Sequence, residues 1–129
     1  MSDLGLPRNE RLRSLKAIRR MFVEGKGGFV YPFRYAYYME PEGSEGGAVE
    51  VMFSVPKKFH KRANKRNLLK RRTREAFRQS ELREKLRTLA KEKAVSVDLA
   101  FIYSTKEIHS HKTITHAVQR ILEQVCENI

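Results

Sequence analysis

Tryptophan is absent from the 129 residues, and cysteine occurs once, at Cys126. A single thiol excludes an internal disulfide, and nothing near Cys126 has the spacing of a zinc site, so a reducing compartment fits best. At the end of the last helical stretch, Cys126 reads as a small packing residue rather than a nucleophile. Long apolar runs are missing as well. The segment MSDLGLPRNERLRSLKAIRR holds no uninterrupted apolar stretch of the signal-peptide kind, and no later segment approaches the ~20 apolar residues of a membrane span. The expectation is a soluble, cytoplasmic, single-domain protein, since a chain of this length supports one core.

Acidic residues are wanting where the chain is most basic. Between Lys57 and Arg74, in KKFHKRANKRNLLKRRTR, stand ten of the 27 Lys and Arg residues and none of the 15 acids. A solvated face normally mixes both signs to limit self-repulsion, so this block calls for a polyanion. Its periodicity predicts a helix over about Ala63 to Gln79. At 100° per residue, Arg66, Asn67, Lys70, Arg71, Arg74 and Arg78 share an arc of roughly 140°, and Leu69, Thr73, Ala76 and Phe77 form a separate apolar stripe. One face can enter a core while the other meets phosphates. Asn67 costs helix propensity there but offers both a donor and an acceptor to a base, a ribose or a bridging water.

Recognisable catalytic groupings are also missing. Glu40, Glu42 and Glu45 lie in a turn, and Glu81, Glu84 and Glu92 are strung along a charged helical stretch. His109 and His111 stand two apart in a loop with His116 on the last helix, without the i, i+4 spacing and carboxylate or Cys company of helical metal ligands. They are read as surface residues. An autonomous nuclease is therefore not expected.

Along the chain, residues 1–10 read as a flexible arm and 11–129 as one RNA-binding domain. Leu12, Leu15, Ile18, Met21 and Phe22 recur at helical spacing, and Gly25, Gly27 and Gly28 end that helix. FVYPFRYAYYM, residues 29–39, reads as a strand with Phe33, Tyr35, Tyr37 and Met39 on one face and Arg34, Ala36 and Tyr38 on the other. Phe33, Tyr35 and Tyr37 are either core residues or stacking surfaces for single-stranded nucleotides. After the turn PEGSEGG, AVEVMFSV alternates as a half-buried strand, and the two runs look like a hairpin. Residues 80–93 form a weaker helical stretch. VSVDLAFIY, residues 95–103, is nearly continuous in apolar residues, the mark of a central strand. The final helix is expected from near Thr113. The order implies an α+β fold, with about three helices packed on a small mixed sheet.

The string Arg66-Asn67-Leu68-Leu69-Lys70-Arg71-Arg72-Thr73-Arg74-Glu75-Ala76-Phe77 resembles the R-N-R-x-K-R-x-x-R-E/Q-A-F/Y motif of the bacterial ribonuclease P protein family. Phe53-Ser54-Val55-Pro56-Lys57-Lys58 is similar to the strand and basic loop that precede it. Two departures stand out: Leu68 occupies a position usually held by Arg, and the preceding loop is one residue longer than in many members. Arg72, one turn on, is a candidate source of the missing charge.

The resemblance implies an α/β sandwich like a domain of a small-subunit ribosomal protein, with a left-handed crossover. It implies a non-catalytic subunit of an endoribonuclease whose RNA removes the 5′ leader of precursor tRNA. The partners would be ribonuclease P RNA and precursor tRNA, in a one-to-one ribonucleoprotein, with Mg2+ held chiefly by the RNAs. Arg66, Asn67, Lys70, Arg71 and Arg74 match the motif, and Lys57, Lys58, Lys61, Arg62 and Lys65 belong to the same RNA-binding block. For the leader cleft it implies Phe22, Ile18 where an aromatic is frequent, and Tyr35 or Tyr37. Two other classes share the charge, a ribosomal protein or RNA chaperone and a DNA-binding factor. Neither requires the paired motif and cleft, and no helix-turn-helix partner is visible.

Overall fold

The computed structural model describes residues 11–41 and 48–129. The expected arm over residues 1–10, and all of the expected turn but Pro41, lie outside the described residues. The chain runs α1 (Leu15–Glu24), β1 (Lys26–Val30), β2 (Phe33–Pro41), β3 (Val49–Ser54), α2 (Ala63–Gln79), α3 (Glu81–Glu92), β4 (Val95–Tyr103) and α4 (His111–Glu127). This is an α+β domain, with four helices among the described residues where about three were expected. The charged stretch after Gln79 forms a helix of its own because Ser80 closes α2 and its Oγ accepts the Leu82 N–H at the start of α3. Ser110 caps α4 in the same way, its Oγ accepting the Thr113 N–H, and the helix begins two residues before the expected start.

The four strands lie in the order β1-β2-β4-β3; β1 with β2 and β2 with β4 are antiparallel, and β3 with β4 is parallel. This corrects the expected hairpin. Phe29 and Val30 belong to β1, which turns back on β2 through Tyr31 and Pro32, and Gly27 and Gly28 stand in that strand rather than in a helix terminus. β2 and β3 do not pair, because β4 lies between them. The apolar β4 run explains its place: Val97, Leu99, Phe101 and Tyr103 are buried on one face, Asp98 and Ala100 on the other. A strand buried on both faces gains most between two neighbours.

The larger core lies on the face carrying Phe33, Tyr35 and Tyr37 of β2, where α2, α3 and α4 pack through residues such as Leu69, Phe77, Leu86, Ile121 and Val125. Phe101 stands at its centre, 5.7 Å from the Phe53 ring and 6.0 Å from Phe77. The four α2 residues expected on the apolar stripe, Leu69, Thr73, Ala76 and Phe77, are the ones buried. Cys126 is buried in this layer too, and burial pushes its thiol pKa up. Every one of these large side chains contributes about 1.5–3 kcal/mol by leaving water.

Among the described helices, α1 alone covers the opposite face. Met21 and Leu12 pack on Ala36 and Ala100, whose small side chains let the helix sit close. Arg20 fastens it: Nη1 lies 3.0 Å from Glu40 and Nη2 lies 3.6 Å from Asp98, and the guanidinium rests 4.6 Å from the centre of the Tyr38 ring. At the end of α1 a Cβ on Gly25 would stand 2.3 Å from the Tyr37 carbonyl oxygen, so the step into β1 requires glycine.

Candidate nucleic-acid interface

The cationic block occupies the loop after β3 and the outer face of α2. Lys57, Lys58, Lys61, Arg62, Lys65, Asn67 and Arg71 are exposed, and Arg66, Lys70 and Arg74 are half-buried. The expected residues are thus brought together on one surface, though with unequal roles. Arg66 donates from Nη1 to the carbonyl oxygens of His60 at 3.0 Å and Lys61 at 2.7 Å, tying the loop to the first turn of the helix. Arg62 stands at the N-cap without a side-chain hydrogen bond, and no acid lies in the first turn. The end of α2 that carries positive dipole character is therefore ringed with cations, a setting that favours phosphate.

The Arg74 guanidinium lies over the Phe53 ring at 5.8 Å and the Lys58 ammonium over Phe59 at 5.0 Å, so each charge rests on an aromatic face that fixes its position. Arg72 does not stand in for the missing cation at Leu68. Its Nη1 donates to the His109 carbonyl, joining α2 to the loop before α4.

The second surface lies on the α1 side of the sheet. Strand register sets out its floor. Phe29, Arg34, Ile102 and Ser54 are successive partners across β1, β2, β4 and β3, and all four point to the α1 side. The next row, Gly27, Ala36, Ala100 and Met52, runs beneath α1. The helix thus leaves the first row open. Between this row and α1 lies a cleft of about 410 Å³ whose walls include Phe22, Gly27, Phe29 and Arg34. Phe22 is 49 % and Phe29 56 % exposed, and Arg34 is exposed. The row ends at Ser54, next to Val55, Pro56 and the loop of Lys57 and Lys58, so the cleft floor and the cationic loop are continuous in the chain.

The structure divides the expected cleft residues. Phe22 is on α1 at the cleft, and Ile18 packs beside Met21 in the smaller core. Tyr35 is among the residues lining the cleft, but its ring and that of Tyr37 point to the opposite face, 7 % and 6 % exposed, in the larger core. The Tyr35 hydroxyl donates to the Gln124 side-chain oxygen of α4, and the two rings stack with centroids 6.3 Å apart. The alternation along β2 settles this, since Ala36 faces α1 and its neighbours must face away. Burial, with Tyr35 alongside, raises the Tyr37 pKa. Phe33 is core as well. Phe29 and Arg34 were missed as cleft residues; the available signal was an exposed-strand aromatic after two glycines, opposite an arginine on the polar side of β2.

Among the described residues no three His, Cys, Asp or Glu side chains come together as a metal site, and no helix is long and apolar enough to cross a membrane. His109 is not a simple surface residue: its Nε2 lies 3.1 Å from the Tyr31 hydroxyl and its ring 5.1 Å from that of Tyr31.

Comparison with known proteins bears on the family and the fold. The profile of the Ribonuclease P family matches residues 6–126. A ribonuclease P protein component from Porphyromonas gingivalis is 35% identical over 130 residues, covering 99% of this chain and 91% of the relative. Another from Chlorobaculum tepidum is 41% identical over 76 residues, 57% of this chain and 49% of that protein. A solved mutant of the Staphylococcus aureus RNase P protein superposes with a TM-score of 0.65 at 18% identity, covering 90% of this chain and 87% of the other, and shows the shared fold. With a family match across almost the whole length and a full-length relative above 30% identity, the chain belongs to the ribonuclease P protein family.

Proposed function

We propose that this protein is the RNA-binding subunit of a ribonuclease P, gripping the catalytic RNA with α2 and its preceding loop and receiving the single-stranded 5′ leader of precursor tRNA in the cleft between α1 and the sheet. Family membership supports the role in tRNA processing. The observation that carries the finer reading is the cleft between Phe22 on α1 and the strand row that starts at Phe29 and Arg34, two half-exposed aromatic rings with an exposed guanidinium beside them. Aromatic faces stack on any base and the guanidinium pairs with phosphate, so the cleft suits a strand of variable sequence. Precursor and mature tRNA differ by the leader alone, and contact with it favours substrate over product.

Among the described residues no three His, Cys, Asp or Glu side chains converge on a candidate magnesium site. In this reading Mg2+ is held by the RNAs, and the protein contributes by fixing the leader. The working particle is one protein with one RNA in the cytoplasm.

The test is reconstitution. Added to a bacterial ribonuclease P RNA at a magnesium concentration too low for the RNA alone, the protein is expected to restore leader removal, and without RNA it is expected to cleave nothing. Failure to restore cleavage, or cleavage by RNA-free protein that disappears when one of its own carboxylates is replaced, would overturn the proposal.

A further inference from the structure

Tyr31 stands at the tip of the β1–β2 turn with its ring 48 % exposed. Its ring centre lies 6.3 Å from that of Phe29, which belongs to the α1-side cleft. On its other side Tyr31 lines a second groove of about 660 Å³, shared with His111, Lys112, His116 and Gln119 of α4. The two grooves therefore meet at a ridge made of two half-exposed aromatic rings.

The ridge is firmly held. The Tyr31 hydroxyl donates to Glu107 Oε1 at 2.5 Å and lies 3.3 Å from Thr105 Oγ1 and 3.1 Å from His109 Nε2, which leaves the ring face as the accessible part. Tyr103 supports the loop beneath, donating to the Glu107 carbonyl at 2.7 Å and accepting from the His109 N–H at 3.0 Å. A fixed ring is a better stacking platform than a mobile one, because little conformational freedom is lost on binding.

From these contacts we infer that the Tyr31 ridge and the groove at the start of α4 form a second single-stranded RNA subsite, which takes the nucleotides of a long leader after they leave the cleft at Phe29. The inference rests on the proposed leader reading and extends it. The occupant is single-stranded RNA because the Phe29–Tyr31 ring pair links the groove to the cleft around the sheet edge, the charged residue lining the groove is Lys112, and the exposed Tyr31 ring suits bases rather than a duplex. A leader of only a few nucleotides ends within the cleft and does not reach Tyr31.

The experiment measures affinity of the reconstituted ribonucleoprotein for precursor tRNAs of graded leader length. Tyr31→Ala is expected to lower affinity for a leader of about a dozen nucleotides roughly tenfold, the equivalent of one lost stack, while a few-nucleotide leader and mature tRNA bind as before. Tyr31→Phe, which keeps the ring but drops the hydroxyl contacts that hold it, is expected to lose much less affinity for long leaders than Tyr31→Ala and guards against misfolding of the Ala variant. Equal loss at every leader length, or no loss at any, would overturn the inference. So would a change in self-association of the protein without a change in RNA affinity, which would give this face to protein contact. The leader reading itself is tested separately at Phe22 and Phe29: if those variants separate precursor from mature tRNA and Tyr31→Ala does nothing, the extension alone fails.

Discussion

Two neighbouring cations on α2 do different work. Arg66 commits its guanidinium to the carbonyls of His60 and Lys61, while Arg71, on the same arc, is exposed. Arg66→Ala is therefore expected to cost folding stability of about 1.5–3 kcal/mol, the range for hydrogen bonds that involve a charged group. Lys65→Ala with Arg71→Ala should leave stability within about 0.5 kcal/mol. That double variant should weaken binding to ribonuclease P RNA and lower the slope of log affinity against log salt by about 0.7 to 0.9 for each phosphate no longer neutralised. Urea titrations and salt-dependent binding curves check both. Unchanged affinity and slope in the double variant would show that the face is only solvated. The sequence placed Arg66 and Arg71 on one helical arc. It did not show which were engaged, because Arg66 and Arg72 reach backbone carbonyls whose positions depend on loops 55–62 and 104–110.

At the scale of elements, periodicity located α2, α3, α4 and β4 within a residue or two and alternation assigned the faces of β2 correctly, but α1 begins at Leu15, three residues after the expected Leu12, because Arg11 bridges to Val51 of β3. Strand order was not legible. Two alternating runs separated by a glycine-rich turn satisfy the pattern of a hairpin, and nothing local to them reports that β4 lies between. That follows from burial on both faces of β4, a property of the assembled sheet. The resemblance put Tyr35 or Tyr37 in the cleft, and Tyr35 does line it, but alternation gives only the face their rings share and not that α1 covers the other. One joint carries strain. Ala94, between α3 and β4, has φ 55°, left-handed backbone that costs a Cβ-bearing residue about 1–2 kcal/mol. Ala94→Gly is expected to stabilise the fold by about 0.5–1 kcal/mol, raising the melting midpoint by about 2–6 °C. A lowered or unchanged midpoint would contradict this account of the joint.

For the whole molecule, the sheet separates two tasks. Its larger face, under α2, α3 and α4, forms the main core and holds the cationic helix in place, while the face under α1 is half covered and leaves a row of residues open. A net charge of +12 draws any nucleic acid to the surface, but charge alone does not distinguish precursor from mature tRNA. Shape does, if the leader lies on the α1 side. The most direct measurement is the ratio of precursor to mature tRNA affinity in the reconstituted particle for Phe22→Ala/Phe29→Ala, with folding followed by circular dichroism. Both rings are about half exposed, so the variant should stay folded. The account predicts that precursor affinity falls by about 1–3 kcal/mol per lost stack while mature tRNA binding is unchanged. A folded variant that keeps full discrimination, or loses precursor and mature tRNA alike, would contradict it.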